Sequence, residues 1–493
     1  MATLTVIDRR GTSAIPFRAE DAPLLDALLL QNGFALPHPC GGRGECGKCA
    51  VNISGAVSEP DDAERRAGKR LSCRTRLLGD ATLDLCGSDT AMRIETDSEA
   101  IPGDDRFGKD DLGLSCDIGT TTVVLGLYEL RSGSQVALAS ARNPQTAVSA
   151  DVIGRIAAAL DGKAGLLQSL ITEEIQKLTD TCLATVGAAR SQIKKQVVTG
   201  NTAMLYLLTG RSPESLAHAP FRADFLFGCD APALDSDAYL PPCIAAFVGA
   251  DITTAVAASG MTEKNEISLL ADIGTNGELA LFKDGTLYVT STAAGPAFEG
   301  AGISSGSEAV SGAIDAVWLE NGVVRYTTIG GAAPRGICGS GIIDAVAALL
   351  DGGRIDETGL LEEDFAFSDS VGITQKDIRQ VQLAKAAVAA GITCLMDAAG
   401  CRTEDIAAFY IAGGFGKHLN VRSAARIGLF PPALAEHVRV LGNAAFRGAA
   451  RALTSEDTRA RFETIRKIAV PVALGGDKLF SDLYLQNMYF HSF

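Results

Sequence analysis

The sequence predicts two folds in one chain: a small α+β domain over residues 1–91, then a larger α/β domain whose two lobes repeat one another. Three observations carry this prediction. The stretch "HPCGGRGECGKC", His38 to Cys49, packs three cysteines and four glycines into twelve residues and is flanked by short strand and helix patterns. Residues 92–112, through "RIETDSEAIPGDDRFGKDD", are charged, contain Pro and Gly and lack apolar periodicity, which reads as a linker. Beyond it, "LSCDIGTTTVVLGLYEL" from Leu114 returns as "SLLADIGTNGELALFKDG" from Ser268, so the second domain contains its own near copy.

Composition narrows the function classes. Of 493 residues, 47 % are hydrophobic and 21 % charged, a globular balance that accommodates two to four domains at roughly 100–200 residues each. The opening "MATLTVIDRRG" alternates like a strand and carries charge early, so no secretory segment and no membrane span is expected, and a cytoplasmic protein is. In that compartment twelve cysteines read as metal ligands, redox groups or small core residues rather than as a disulfide framework. A net charge of −15 argues against a phosphate backbone as partner, which sets nucleic acid aside.

In the first domain, "LTVID" and "AIPFR" read as a hairpin. "DAPLLDALLLQNG" reads as a helix with Asp21 as N-cap, Pro23 in the first turn and Gly33 just past the end. A strand at "CAVNISG", a short helix near "DDAERRAG" and a closing strand "ATLDL" follow, which is the order of a β-grasp ferredoxin. Cys40, Cys46 and Cys49 are spaced C-x5-C-x2-C and Cys73 follows in "RLSCRT", one residue longer in the first gap than the plant-type 2Fe-2S spacing. Cluster sulfurs are stabilised by backbone N–H groups, and Gly41, Gly42, Gly44 and Gly47 let the loop turn and approach closely. A structural zinc site usually pairs two C-x2-C knuckles, and here only one exists. Cys40, Cys46, Cys49 and Cys73 are therefore the expected ligands of a 2Fe-2S cluster, with Cys86 a bystander.

The second domain divides into lobes over 113–262 and 263–493, its C-terminal segment either staying with the second lobe or packing back on the first. A weaker second pair, "VVTGNTAM" from Val197 and "FYIAGGFG" from Phe409, places glycine at the end of a buried strand in each lobe. A D-x-G-T-T hairpin presents backbone N–H and hydroxyl donors to phosphate oxygens, while its strand-end aspartate holds Mg2+, usually through water. Asp117, Gly119, Thr120, Thr121 and Thr122 from one lobe would grip a nucleotide's phosphates against Asp272, Gly274, Thr275 and Asn276 from the other.

At this point the sequence resembles the acetate and sugar kinase, chaperone ATPase and actin superfamily, whose lobes are duplicated ribonuclease H-like folds. Five motifs fall in order: Asp117 to Thr122, the helix "FVGADITTAVAASG", Asp272 to Gly277, "IAGGFG" from Ile411, and the helix "LGNAAFRGAARAL". The resemblance implies ATP and Mg2+ as ligands. It also implies a residue that positions the attacking water nine places before the glycine closing the first connecting helix; counting back from Gly260 gives Asp251, which reads equally as a helix N-cap after Gly249. Gly413 and Gly414 would pack against adenine or ribose. Gly339 and Gly341 in "ICGSGIIDAV" either approach the nucleotide or simply start a helix, and Phe298 and Glu299 lie on a glycine-rich stretch that is a substrate or partner loop or only a loop.

Taken together, the cysteine loop, "DIGTTT", "GNTAM", "DIGTNGE", "AGPAFEGA", "ICGSG", "AGGFG", "GNAAFRGA" and the tail "FSDLYLQNMYF" resemble the reductive activators of corrinoid-dependent enzymes over nearly the whole chain. That resemblance implies ATP-dependent, one-electron reduction of a corrinoid from Co(II) to Co(I), with a corrinoid protein or corrinoid methyltransferase as partner and an upstream electron donor. A plant-type cluster near roughly −400 mV cannot alone reduce a much lower acceptor, which is the reason for coupling to ATP. The chain departs from some members in lacking an extra domain after the linker and any cysteine after Cys401. Three rival readings share the ATPase fold: an ATP-dependent electron donor to another redox enzyme, a small-molecule kinase with an accessory cluster, and a non-enzymatic redox-sensing module. Cys116, Cys182, Cys229, Cys243, Cys338, Cys394 and Cys401 are expected as buried residues, His418 at the surface or on a ribose, and Trp318 and Tyr326 as core packing on a hairpin.

Overall fold

The computed structural model describes residues 2–8, 11–32, 34, 49–67, 70–85, 100–234, 236–414 and 418–490. Gly33, Cys40, the loop glycines, Cys46, Cys86, residues 92–99 of the expected linker and Gly416 lie outside the described residues. Met1–Ala91 with Pro144–Asp161 make one unit, and Met92–Asn143 with Gly162–Phe493 the other.

In the first unit, β1 (Ala2–Asp8), β2 (Gly11–Phe17), β3 (Ala50–Val57), β4 (Arg70–Leu71) and β5 (Leu77–Asp84) form one sheet in the order β2-β1-β5-β3-β4. β1 runs antiparallel to β2 and parallel to β5. Alternating residues Leu4 and Val6, Ile15 and Phe17, and Ala81 and Leu83 point to one face, where α1 (Leu25–Gln31) covers them with Leu25, Leu28 and Leu29. Helices α2 (Asp62–Ala67) and α3 (Val152–Ala158) complete the unit. Asp21 is not the cap of α1. It ends a separate 3-10 turn, Ala19–Asp21, and the first N–H groups of the helix, on Leu25 and Asp26, donate instead to the carbonyls of Thr75 (2.9 Å) and Ser72 (3.1 Å). A distant loop performs the capping that the sequence assigned to a local side chain.

The second unit holds two six-stranded sheets of matching design. In the first lobe, β6 (Leu112–Ile118), β7 (Thr122–Glu129), β8 (Gln135–Arg142), β9 (Ile193–Gly200), β10 (Cys229–Pro232) and β11 (Asp237–Leu240) are ordered β10-β11-β9-β6-β7-β8. Its helices are α4 (Ala164–Val186), α5 (Thr202–Leu208), α6 (Glu214–Ala217) and α7 (Ala250–Ser259). In the second lobe, β12 (Ser268–Ile273), β13 (Gly277–Lys283) and β14 (Thr286–Thr292) form the same antiparallel run as β6 to β8. The lobe adds a three-stranded sheet, β15 (Ala313–Glu320), β16 (Val323–Thr328) and β17 (Gly336–Ile337), and a small hairpin of β18 (Phe365–Ala366) with β19 (Gly372–Ile373). Between and after these lie α8 (Gly339–Asp351) and α9 (Gln375–Ala399). Then come β20 (Ala408–Ala412), α10 (Val421–Arg426), β21 (Val438–Gly442), α11 (Ala444–Arg451), α12 (Glu456–Ile468), β22 (Ala469–Pro471) and α13 (Lys478–Gln486). β20 lies parallel beside β12 as β9 does beside β6, giving the order β21-β20-β12-β13-β14-β22.

Strands β6 and β12 are buried along almost their whole length, since helices cover both sheet faces, and their sequences are accordingly unbroken apolar runs. The connecting helices α7 and α11 pack on one another, and α11 also packs on β6 and β9. One core joins the lobes through Val124, Val197, Val256, Leu270, Phe446 and Phe462. The crossing of α7 and α11 demands a glycine: a Cβ on Gly448 would sit 2.0 Å from the Thr254 carbonyl. α9 is long and apolar enough to cross a membrane by composition, but 78 % of that window is buried inside the protein, as befits a core helix. The tail is fastened to it, with Lys385 Nζ donating to the Asn487 and Tyr489 carbonyls at 2.6 Å each and Phe490 fully buried.

Cys116, Cys182, Cys243, Cys338 and Cys394 are buried and Cys229 and Cys401 partly so, as expected. Trp318 is not core: it is 42 % exposed on the open face of β15, whereas Tyr326 is half-buried and stacks edge-on against Phe367. The α7–α11 contact yields a prediction. Gly448→Val should lower the stability of the second unit by about 2–3 kcal/mol, because overpacking forces the helices apart, as read from thermal melts of the whole chain.

Candidate functional site

The cysteine site is half visible. Cys49, just before β3, and Cys73, just after β4, are both buried and bring their Sγ atoms to 3.3 Å. The Ser72 N–H donates to the Cys49 carbonyl at 2.9 Å, and the Arg74 and Thr75 N–H groups fold back on the Leu71 carbonyl at 2.9 Å each. The turn carrying Cys73 is held by Glu64 of α2, to which the sequence reading gave no role. Its Oε1 accepts from Leu71 N (3.0 Å), Thr75 Oγ1 (2.8 Å) and Arg70 Nε (3.0 Å), and its Oε2 from Asp61 N (3.1 Å). Burial pushes the Glu64 carboxyl up, but these hydrogen bonds outweigh it and hold the group below its usual range. Two converging buried thiols are the donor chemistry that an iron–sulfur cluster requires, so the described residues fit that group. Cys40 and Cys46 lie outside the described residues.

In the second unit the structure gathers side chains far apart in sequence. Asp117 stands next to last on β6 and Asp272 next to last on β12, while Asp251 lies in the first turn of α7, whose N-cap is Gly249. Asp251 is thus not the cap, although its Oδ1 accepts from the Ile252 N–H at 2.9 Å. Burial displaces all three carboxyls upward: Asp117 to about 6, against a 2.9 Å hydrogen bond from Asn443 Nδ2; Asp251 to about 7, helped by the Asp117 charge; Asp272 to about 8, helped by Asp251, Asp117 and Glu299. A fourth carboxyl joins them. Glu278 faces Asp272 directly across the β12–β13 register and is pushed well up by burial and by the Asp251 and Asp272 charges. The corresponding partner of Asp117 across β6–β7 is Val124, so the acid at this place belongs to one lobe only.

Four half-buried carboxyls, all raised by burial and three of them also by a neighbouring carboxylate, form a site that favours positive charge. Among the described residues no three His, Cys, Asp or Glu side chains approach closely enough to ligate one ion directly.

The hairpins bring their donors to the same place. In the first, the Gly119 N–H closes the turn on the Thr122 carbonyl (2.9 Å), the Asn143 side chain holds the Gly119 carbonyl (2.9 Å), and Asn201, the N-cap of α5, donates to Thr120 Oγ1 (3.2 Å). In the second, the Gly274 N–H closes on the Asn276 carbonyl at 3.0 Å. The hairpins meet: Thr121 Oγ1 and Thr275 Oγ1 are 3.0 Å apart, and both reach Glu299 Oε2 at 2.6 Å. Gly413, at the end of β20, has φ of 108°, and a Cβ there would lie 2.5 Å from the Ile273 carbonyl and 2.9 Å from Asp272 Oδ1. Its bare backbone therefore borders the carboxylates, while Gly414 opens onto free space. Gly339 is the first residue of α8, a helix start fastened to β15 by Ser340 Oγ on the Asp315 carbonyl at 2.9 Å.

Comparison with known proteins bears on the domains and on the chain as a whole. Residues 7–78 match the 2Fe-2S iron-sulfur cluster binding domain, 112–264 the RACo middle region, and 266–492 the C-terminal ASKHA domain of RACo. The chain is 35 % identical to the corrinoid activation enzyme RamQ of Eubacterium limosum over 420 residues, 77 % of this chain and 70 % of that one. It is 28 % identical to the [Co(II) methylated amine-specific corrinoid protein] reductase of Methanosarcina barkeri, over 60 % of this chain and 62 % of that protein. A solved reductive activator for corrinoid,iron-sulfur protein superposes over 99 % of this chain and 98 % of its own, with a TM-score of 0.73 and 26 % identity.

The raised carboxyls predict a pH dependence. Their folded-state pKa values of about 6, 7 and 8 exceed those of the unfolded chain, so their contribution to stability is fully present below the unfolded value near ~3.9 and is lost as pH rises through those values. In metal-free buffer Asp272→Asn should therefore gain melting temperature over the parent chain as pH goes from about 5 to about 8. A difference that stays flat across that range contradicts the assignment.

Proposed function

The chain belongs to the family of reductive activators of corrinoid proteins, and from that premise we propose that it reduces the Co(II) corrinoid of a partner protein to Co(I) by one electron, in a reaction that binds and hydrolyses ATP. The observation that carries the ATP part is the meeting of Asp117, Asp251 and Asp272 beside two phosphate-type hairpins that touch one another through Thr121 and Thr275.

In this reading Gly119, Thr120, Thr121 and Thr122 receive the phosphates from one lobe and Gly274, Thr275 and Asn276 from the other, with N–H and O–H donors aimed at oxyanions. Asp117 and Asp272 hold Mg2+ through water, and Asn443 orients the Asp117 carboxylate. Asp251 sits in the first turn of α7, where the Ile252 N–H fixes one carboxylate oxygen, and the other would orient the attacking water. Gly413 and Gly414 would leave room for the nucleoside, and Gly339 at the start of α8 would approach the same nucleotide. Closure of the lobes on ATP is the step that would change the face offered to the partner.

Cys40, Cys46, Cys49 and Cys73 would hold the 2Fe-2S cluster, which when bound supplies one-electron chemistry at a potential near roughly −400 mV. Burial of Cys49 and Cys73 and the Glu64 network keep those two thiols in place and dry. Domains over 1–91, 113–262 and 263–493 with a linker over 92–112, a cytoplasmic location, an upstream electron donor, and a corrinoid protein or methyltransferase as partner complete the proposal.

The test is anaerobic. The chemically reduced chain is mixed with a Co(II) corrinoid protein, with and without MgATP, and the visible spectrum is followed for Co(I). Co(I) is expected to accumulate only with ATP, and Cys46→Ser and Asp272→Ala should each abolish it. ATP consumption with every candidate corrinoid protein left as Co(II) would reject the proposal.

A further inference from the structure

Glu299 occupies the donors that a phosphate would need. Its Oε2 lies 2.6 Å from Thr121 Oγ1 of the first hairpin and 2.6 Å from Thr275 Oγ1 of the second, and its Oε1 lies 3.2 Å from the Thr275 N–H. Each hydroxyl has one proton to give. With both directed at the carboxylate, neither remains for a phosphate oxygen, and two anions cannot share these donors at contact distance without repulsion.

The carboxylate is carried on a fixed base. Pro296–Glu299 is a 3-10 turn anchored by the buried side chains of Ala297 and Phe298, and the Gly295 N–H just before it donates to the Thr275 carbonyl at 2.8 Å. The turn therefore travels with the second hairpin, while Thr121 belongs to the first. The Glu299 side chain is the piece that bridges the two, and its charge is also felt at Asp272.

We propose that Glu299 is a specificity-determining residue of the phosphate site: its carboxylate latches the two hairpins by engaging the hydroxyls of Thr121 and Thr275, and a ligand must take one or both donors from it to bind. A phosphate that touches both hairpins replaces the whole latch, whereas one that reaches a single hairpin replaces half. The residue thus weakens nucleotide binding in general and weakens it least for the longer phosphate chain. This inference rests on the reading of the hairpins as the nucleotide site.

The test titrates the full chain with MgADP and with the magnesium complex of a non-hydrolysable ATP analogue, by calorimetry. Glu299→Ala and the near-isosteric Glu299→Gln are expected to bind the ATP analogue about tenfold more tightly than the parent, and MgADP more tightly still, so that discrimination between the two narrows. Unchanged or weaker binding of both ligands by Glu299→Gln overturns the latch. Asp272→Ala and Thr120→Ala in the same titration separate the two ideas. If they lose nucleotide while Glu299→Gln gains nothing, only the latch fails; if they bind undiminished, the nucleotide site lies elsewhere and both readings fall.

Discussion

The architecture of the larger unit turns on forcing carboxylates together. Asp117, Asp251, Asp272 and Glu278 come from two strand ends, a helix start and the facing strand; the Asp117 charge raises Asp251, both raise Asp272, and Asp251 and Asp272 raise Glu278. At an effective dielectric near 20, two unit charges about 5 Å apart repel by roughly 3 kcal/mol. A fold tolerates such a cluster only when something else holds its bearers in place. Here the apolar core spanning both lobes does so, with β6 and β12 buried along their lengths and α7 pinned against α11 at Gly448. Protonation relieves the repulsion, and under the proposed function the charge of a metal–nucleotide complex would relieve it instead.

The lobes share a backbone plan but divide the chemistry unequally. Asp117 faces Val124 and is steadied by Asn443 from the far end of the chain; Asp272 faces Glu278 and lies beside Gly413. Glu299 rides on the second lobe and reaches across to the first. Duplication supplies two hairpins, and the side chains around them break the symmetry. In the smaller unit a single carboxylate, Glu64, plays the opposite part: ionised, saturated with donors and below its usual range, it stiffens the turn bearing Cys73. The same functional group is a spring in one unit and a brace in the other, according to whether its neighbours are anions or N–H groups.

Much of this was legible in the sequence because it depends on local pattern. The Asp-Ile-Gly-Thr hairpins and the chain order of elements in the first unit follow from apolar runs punctuated by glycine, while the two connecting helices and the choice of Asp251 came from the resemblance to the kinase, chaperone and actin superfamily. What escaped depends on register or on distant carbonyls. Glu278 matters because it pairs with Asp272 across the hairpin, Asn443 because α11 returns to β6, and Glu64 because α2 lies beside the Cys73 turn. Asp21 looked like a cap, and the Ser72 and Thr75 carbonyls took that role instead. Trp318 looked like core on composition and stands exposed on β15.

The central claim is that the carboxylate cluster is charged by its ligand. It is tested most directly by counting protons: calorimetry of Mg2+–nucleotide binding near pH 7 in two buffers of different ionisation enthalpy. The account predicts net proton release into solution, because Asp272 and Asp251, displaced to about 8 and about 7, ionise as the cation arrives. Binding with no net release, or with uptake, would mean that the carboxylates are already ionised in the free chain and that this constraint is not what the site is built around.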